Sequence, residues 1–372
     1  MTIVHFSDTH LGYNDLDIVN NDGINQREAD FYDAFTQVVE QIKEIQPDYI
    51  IHTGDLFHRA SPSNRAIVFA MQQFTILNSL NIPLILIAGN HSTPKTIHSS
   101  PILKIFENFE NIYLSYEQKY KKIEFDDIVF HTLPHMNDET IAETQIDMCE
   151  QNINRSKKNI MMLHASVGAG YLMEEFGEWV YPKNKEYIFT KMSYVALGHW
   201  HGFGSVGKHT NVYYSGSTER TSLNDKRNQK GFVKVELSQN LNIEFKPIKI
   251  RNIKIFYIDC SDFDNSIDAL NIENIDGAIV EVVLTNLTPL QSIQIQNQDI
   301  KRYFKGCMSI SVKREFIDKN HNNQIDNIES ISLQKAFLEQ LQLDCDTNEF
   351  QRLKNKTEQL FNRYEEIYDD SI

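Results

Sequence analysis

No two of the four cysteines in this chain lie close together. Cys149, Cys260, Cys307 and Cys345 are scattered through 372 residues with no C-x-x-C pair. That spacing excludes a zinc ribbon and a disulfide framework, fits a reducing compartment, and leaves each thiol as a small packing hydrophobe. Long apolar runs are also missing. None approaches the roughly 18–20 residues needed to span a bilayer, so no membrane association is expected. The opening Met1-Thr2-Ile3-Val4-His5-Phe6 lacks the charged and apolar regions of a signal peptide, and the expectation is a cytoplasmic protein. Basic charge is short as well. Lys and Arg number 36 against 51 Asp and Glu, a net charge of -15, which at first sight opposes a nucleic-acid partner. Two considerations weaken that objection: carboxylates that bind divalent ions are neutralised in their sites, and a local basic groove can coexist with an acidic exterior.

What is present is a strand–helix rhythm. Thr2–Phe6, Tyr49–His52, Leu84–Ala88, Ile128–Leu133, Ile160–Leu163 and Tyr194–Leu197 read as short buried strands closed by turn or polar residues. Between the first two, Phe31, Phe35, Val38, Val39, Ile42 and Ile45 recur at helical spacing. Another helix is expected over about 63–80, with Ile67, Met71, Phe74 and Leu77 on one face. Such alternation implies crossover connections and a layered α/β domain over 1–250. Its last strands, Val212–Ser215, Gly231–Leu237 and Ile243–Ile250, read as antiparallel. A small α+β unit follows at 252–316, with strands at Ile253–Cys260, Ala278–Leu284 and Met308–Val312 and a helix at Leu290–Phe304. A polar linker occupies 317–329, and two helical patterns close the chain over 330–372.

The chemistry lies where polar residues follow strand ends. Asp8 and His10 follow the first strand, Gly54-Asp55 the second and Gly89-Asn90-His91 the third. His164 follows a later strand, and Gly198-His199-Trp200-His201 the next. In open α/β sheets ligands collect beyond the carboxyl ends of strands, so these five clusters can share one crevice. Two Asp, one Asn and four His offer carboxylate, amide and imidazole but no thiolate, a set suited to Mn²⁺, Fe²⁺ or Zn²⁺. Seven ligands are too many for one ion and suit two ions sharing a carboxylate, the clamp used in phosphoester hydrolysis.

This string resembles the calcineurin-like metallophosphoesterase superfamily. His10-Leu11-Gly12-Tyr13, Arg27-Glu28-x-Asp30-Phe31, Gly54-Asp55-Leu56-Phe57-His58, Ser215-Gly216-Ser217-Thr218-Glu219-Arg220 and Lys230-Gly231-Phe232 narrow the likeness to the SbcD / meiotic-recombination-eleven DNA-repair nucleases. The resemblance implies an α-β-β-α sandwich with a small α+β capping domain and a C-terminal helical pair. It implies that Asp8, His10, Asp55 and His201 hold one metal, and that Asp55, Asn90, His164 and His199 hold the other. His91 would stabilise the transition state or protonate the leaving oxygen, with His58 a further candidate beside the substrate. The activity implied is a Mn²⁺-dependent exonuclease on duplex DNA and endonuclease on single strands. Partners implied are an SbcC-type, SMC-like ATPase and a second copy of the chain. A phosphoesterase for nucleotides or phosphoproteins is the alternative enzyme, and a DNA-end-binding scaffold the alternative of another class.

One residue departs from the pattern. The family usually has an acid after its G-N-H triplet, and Ser92 stands there. Arg27, Arg59, Arg65 and Lys95 lie near the clusters and are candidates to meet DNA phosphates, with solvated surface charge as the alternative. Arg220, Lys226, Arg227 and Lys230 crowd a turn that reads equally as a hairpin tip. His52 reads as a satisfied core histidine and His135 as structural. Asp318–Glu329 imitates a calcium loop, but no helix precedes it, and it reads as a linker. In the last helix Phe350, Leu353, Leu360, Phe361 and Tyr364 form an apolar face. It can pack on its own domain or dock the ATPase partner, the reading the resemblance favours.

Overall fold

The computed structural model describes residues 1–93, 100–168, 170, 179–222, 225, 229–317, 350, 353–354 and 356–357. Met1–Glu315 form one compact unit and the residues from Phe316 onward belong to another. Lys95, Lys226, Arg227, the calcium-loop imitation and Leu360, Phe361 and Tyr364 lie outside the described residues.

Two six-stranded sheets carry the first unit. Strands β1 (Thr2–Phe6), β2 (Tyr49–His52), β3 (Leu84–Ile87) and β4 (Ile112–Ser115) run parallel. The second sheet has β5 (Lys121–Glu124), β6 (Ile128–Leu133), β7 (Lys158–His164), β8 (Tyr194–Gly198), β9 (Gly204–Ser205) and β10 (Val212–Tyr214). Strands β11 (Gly231–Leu237) and β12 (Leu241–Pro247) return to the first sheet, where β11 pairs antiparallel with β1. Strand β10 corrects one expectation: it lies parallel to β8 and antiparallel only to the two-residue β9.

Strands β1–β3 and β6–β8 are buried on both faces, which is why they read as continuous apolar runs. Ile3, Ile51, Ile85 and Val233 of the first sheet meet Phe130, Ile160, Met162 and Ala196 of the second in a central core. Helices α1 (Gln26–Ile45) and α2 (Asn64–Ser79) cover the first sheet with Phe35, Val38, Ile42 and Phe74. Helix α3 (Glu139–Gln151) and a 3₁₀ segment, Lys183–Lys191, cover the second with Ile146, Cys149, Ile188 and Phe189. The expected α-β-β-α layering is therefore present. Helix starts are set by caps: Asn25 accepts from the Arg27 and Glu28 amides, and Ser63 accepts from the Ala66 amide.

A third sheet, β13 (Ile253–Asp259), β14 (Ile279–Leu287) and β15 (Ser309–Phe316), corresponds to the expected α+β segment and has its own apolar core around Ile258, Val282 and Ile300. Helix α4 spans Phe263–Asp268. The single helix expected at Leu290–Phe304 is instead two, α5 (Pro289–Gln294) and α6 (Asn297–Tyr303). The break comes where Ile295 and Gln296 turn extended, which lets Ile295 and Ile300 reach the core while Leu290 and Ile293 stay exposed.

Polar residues inside the sandwich are matched rather than stranded. His5 bonds Tyr194 Oη and Thr53 Oγ1, both at 2.9 Å, and so ties the two sheets together. His52 accepts from the Gly54 amide at Nδ1, so its Nε2 carries the proton and donates to Thr9 Oγ1 at 3.1 Å. The reading of His52 as a satisfied core histidine agrees with this. Burial pushes both rings down to about 3, with His52 adding to the effect on His5 and Asp55 opposing it at His52. A depressed folded pKa means stability that is present above the unfolded value near 6.5 and lost as pH falls towards 3. The metal-free protein should lose about 2 kcal/mol per ring by pH 5. Urea midpoints measured between pH 7 and 5 check this, and the loss should shrink in His5→Gln.

Candidate metal centre

Every turn that carries an expected ligand is bent or crowded in a way that sets the ligand's position. Asp8, His10, Asp55 and His199 all have positive φ, at 52°, 42°, 51° and 98°. For residues with a β-carbon this left-handed backbone costs roughly 1–2 kcal/mol each, and it persists here because the flanking strands hold it. Two glycines have no substitute. At Gly54 (φ 108°) a β-carbon would lie 2.2 Å from His164 Nδ1, and at Gly89 one would lie 2.2 Å from Asp55 Oδ1. The backbone thus approaches the ligands from behind and fixes them by contact.

At one end of the site His164 Nδ1–H donates to the Thr53 carbonyl at 2.7 Å, leaving Nε2 with a lone pair. That nitrogen faces Asn90 Oδ1 at 2.9 Å and Asp55 Oδ2 at 3.3 Å. With Nε2 unprotonated, three acceptors converge on one point, a place that calls for a proton or a cation. Burial works against a charge on His164, but Asp55 and its hydrogen bond outweigh it and push the imidazole up to about 9. A divalent ion supplies the same positive charge in place of that proton. His199 adds its ring 5.4 Å from that of His164, and its amide donates to both Asp8 carboxylate oxygens, at 3.2 and 3.0 Å.

At the other end Asp8, His10 and His201 offer ligand atoms within 4.8 Å of one another, as do Asp8, Asp55 and His164. His10 Nε2 and His201 Nε2 stand 3.1 Å apart. All seven expected ligands thus meet in one place, and Asp8 and Asp55 lie between the two ends. The donor set of carboxylate, amide and imidazole fits divalent cations.

His91 and His58 line the rim. The His91 ring lies 4.9 Å from that of His10, its amide donates to Asp55 Oδ1 at 2.9 Å, and its Nδ1 bonds the His58 carbonyl at 2.6 Å. A backbone carbonyl, not a carboxylate, therefore orients His91. Ser92 takes no part: its hydroxyl is buried and has no hydrogen-bond partner among the described residues. His58 stacks on His91 with ring centroids 5.2 Å apart. Burial, then His91 and Arg59, hold His58 down to about 4. His135 is buried, bonds Asn137 Oδ1 at 3.2 Å and lies 6.4 Å from the His164 ring.

The arginines separate. Arg59 is exposed beside His58, and Arg65 is exposed but paired with Glu28 at 2.9 Å. Arg27 corrects its expectation. It is 4% exposed and spent on Asp30 at 2.6 Å, Glu219 at 3.5 Å and the Arg220 carbonyl at 2.7 Å, and so is turned away from any phosphate. Asp30 in turn receives Arg251 Nε at 2.6 Å, which ties α1 to the start of β13. Breaking one partner of such a buried network costs about 3–5 kcal/mol. Arg27→Ala should lower thermal stability by that amount, read by chemical denaturation, while leaving metal uptake intact.

Sequence reasoning also missed the support behind His201. Lys230 is buried and no hairpin tip, and its Nζ donates to the His201 carbonyl at 2.7 Å and to Ser217 Oγ at 2.8 Å. Thr221 Oγ1 lies 3.0 Å and Asp225 Oδ2 3.5 Å from His201 Nδ1. The Lys230-Gly231-Phe232 string was visible, but nothing in its spacing points to His201.

Residues 1–203 match the family model for calcineurin-like phosphoesterases. The chain belongs to that family. DNA double-strand break repair protein Mre11 of Methanocaldococcus jannaschii is 28% identical over 356 residues, covering 88% of this chain and 87% of that protein. Mre11 of Thermoplasma acidophilum is 29% identical over 279 residues, 72% of this chain and 70% of that protein. Mre11 of Saccharolobus solfataricus is 32% identical over 203 residues, 54% of this chain and 49% of that protein. The likeness to the SbcD / meiotic-recombination-eleven type, read from the motifs, is borne out. The family and the convergent donor set make the chain a metal-dependent phosphoesterase.

Proposed function

We propose that this phosphoesterase is a DNA nuclease that processes double-strand breaks, cutting duplex ends as an exonuclease and single strands as an endonuclease. One observation carries the chemistry: His164 Nε2, Asn90 Oδ1 and Asp55 Oδ2 converge as bare acceptors beside a second cluster of Asp8, His10 and His201. Similarity to Mre11 proteins over most of the chain supports the choice of DNA.

In this reading Asp8, His10, Asp55 and His201 hold one ion and Asp55, Asn90, His164 and His199 the other, with Mn²⁺ the ion in both. Bound there, the ions supply an activated water and take up charge on the phosphoryl oxygens. The protein's own part is positioning. The Thr53 carbonyl keeps His164 Nε2 turned inward, and the Asp8 carboxylate is held by the His199 amide. With Nδ1–H fixed on the His58 carbonyl, His91 presents Nε2 to the substrate; as the imidazolium, having taken a proton from solvent at Nε2, it passes that proton to the leaving oxygen. His58 acts as the wall on which His91 stacks, and exposed Arg59 meets phosphate beside it. The C-terminal segment docks an SbcC-type ATPase, and the chain works as a homodimer.

End-labelled duplex DNA incubated with Mn²⁺, beside a small chromogenic phosphodiester, tests this. Degradation of the duplex supports the nuclease reading. Hydrolysis of the small diester alone, with DNA untouched even when the ATPase is added, would favour the alternative of a phosphoesterase for nucleotides.

A further inference from the structure

We propose that Asp225 is a positioning residue for His201, backing the ring through its Nδ1 edge so that Nε2 stays turned into the metal site. The proposal rests on the reading of His201 as a metal ligand and gives that ligand its own charged support.

His201 is gripped on two sides. On the ring, Nε2 points at His10 Nε2 across 3.1 Å, while the opposite edge faces Thr221 Oγ1 at 3.0 Å and Asp225 Oδ2 at 3.5 Å. On the backbone, the His201 carbonyl accepts from Lys230 Nζ at 2.7 Å and from the Ser217 amide at 3.1 Å. The same Lys230 Nζ stands 3.4 Å from the same Asp225 Oδ2. An ion pair of opposite signs thus holds both the ring and the main chain of a single residue. Among the described residues Asp225 Oδ2 is buried, and its approaches to His201 Nδ1 and Lys230 Nζ are both longer than a normal hydrogen bond, so a strong acceptor faces His201 Nδ1 with capacity to spare.

The chemistry gives that capacity a purpose. An imidazole that gives its Nε2 lone pair to a cation carries its proton on Nδ1 and needs an acceptor there. Thr221 offers a neutral oxygen. Asp225 adds a full negative charge, which favours this tautomer and makes the ring a stronger donor to a cation. Lys230 offsets the cost of keeping that carboxylate ionised out of water. His164, at the other end of the site, is backed only by the neutral Thr53 carbonyl. The two ends of the centre are therefore built differently, and loss of Asp225 should be felt at one end alone.

Calorimetric titration of the full-length, metal-free chain with Mn²⁺ tests this, using wild type, Asp225→Asn, Asp225→Glu and His201→Ala. Wild type should bind two equivalents. Asp225→Asn should weaken one of them about 10–100-fold and leave the other unchanged. His201→Ala should abolish that same equivalent, and Asp225→Glu should restore part of the affinity. The metal-free melting temperature of Asp225→Asn should fall, because buried Lys230 loses its charged partner, so the positioning role is read from the inequality of the two equivalents. Two unaltered equivalents in Asp225→Asn would overturn the positioning role while leaving the metal centre standing. Equal weakening of both would overturn it in favour of a structural role. No Mn²⁺ uptake by wild type would overturn the metal reading itself.

Discussion

His91→Ala should reduce kcat for phosphodiester cleavage by about 10²–10⁴-fold, the range for loss of a positioned general acid, with both metal equivalents retained. The geometry separates the two properties. Asn90, one residue earlier, faces His164, whereas His91 turns away to the His58 carbonyl and stacks on His58. Truncating the ring removes a proton donor and the His91 nitrogen that lies within 4.8 Å of the His10 and His58 ligand atoms, but leaves Asp8, Asp55, His10, His164 and His201 in place. In the proposed role His91 acts on the leaving oxygen in the transition state, so KM should change far less than kcat. Steady-state kinetics on an end-labelled duplex, with metal content measured on the same sample, checks both halves. A fall in kcat below tenfold would remove His91 from the chemistry, and a lost metal equivalent would make it a ligand.

Asp55→Asn should be the most damaging single change, costing on the order of 10³-fold or more in activity, because it strikes both ends of the site at once. Asp55 Oδ2 faces His164, its Oδ1 accepts the His91 amide, and it shares a ligand cluster with Asp8. The substitution keeps the shape and removes the charge that two cations would share. A second readout needs no metal. Asp55 holds the His164 pKa up to about 9 against the effect of burial. A folded pKa raised above the unfolded 6.5 gives stability that is complete below 6.5 and lost as pH rises through 9. Metal-free wild type should therefore lose stability over that window from this residue, and Asp55→Asn should not. A variant with the wild-type pH profile, or with two tightly bound metals, would count against the shared-carboxylate role.

The sequence made the sandwich legible because its central strands are buried on both faces and stand out as apolar runs ended by ligands. Two of the elements it hid have little buried surface. Strand β5 buries only Ile123, and α3 buries Ala142, Ile146 and Cys149 along an otherwise polar helix, so neither shows a convincing period. The direction of β10 depends on its partner β8, which no local pattern encodes. The seven expected ligands could be grouped from the sequence because each lies at or just after a strand end. Arg27 was misplaced for the converse reason: proximity in sequence to a ligand says nothing about which way a helix turns its first residues, and Asp30 and Glu219 claim it inside. Asp225 and Lys230 could not be assigned, since their role exists only once the chain after β10 folds back over His201.

The central claim is that these seven side chains hold two ions which act together on a phosphodiester. It is tested most directly by adding Mn²⁺ stepwise to the metal-free chain and following bound metal and duplex cleavage in the same samples. Two cooperating ions predict negligible cleavage after the first equivalent and a rise to full rate with the second. Full activity with one equivalent bound, or cleavage unchanged in the absence of any bound divalent ion, would contradict it.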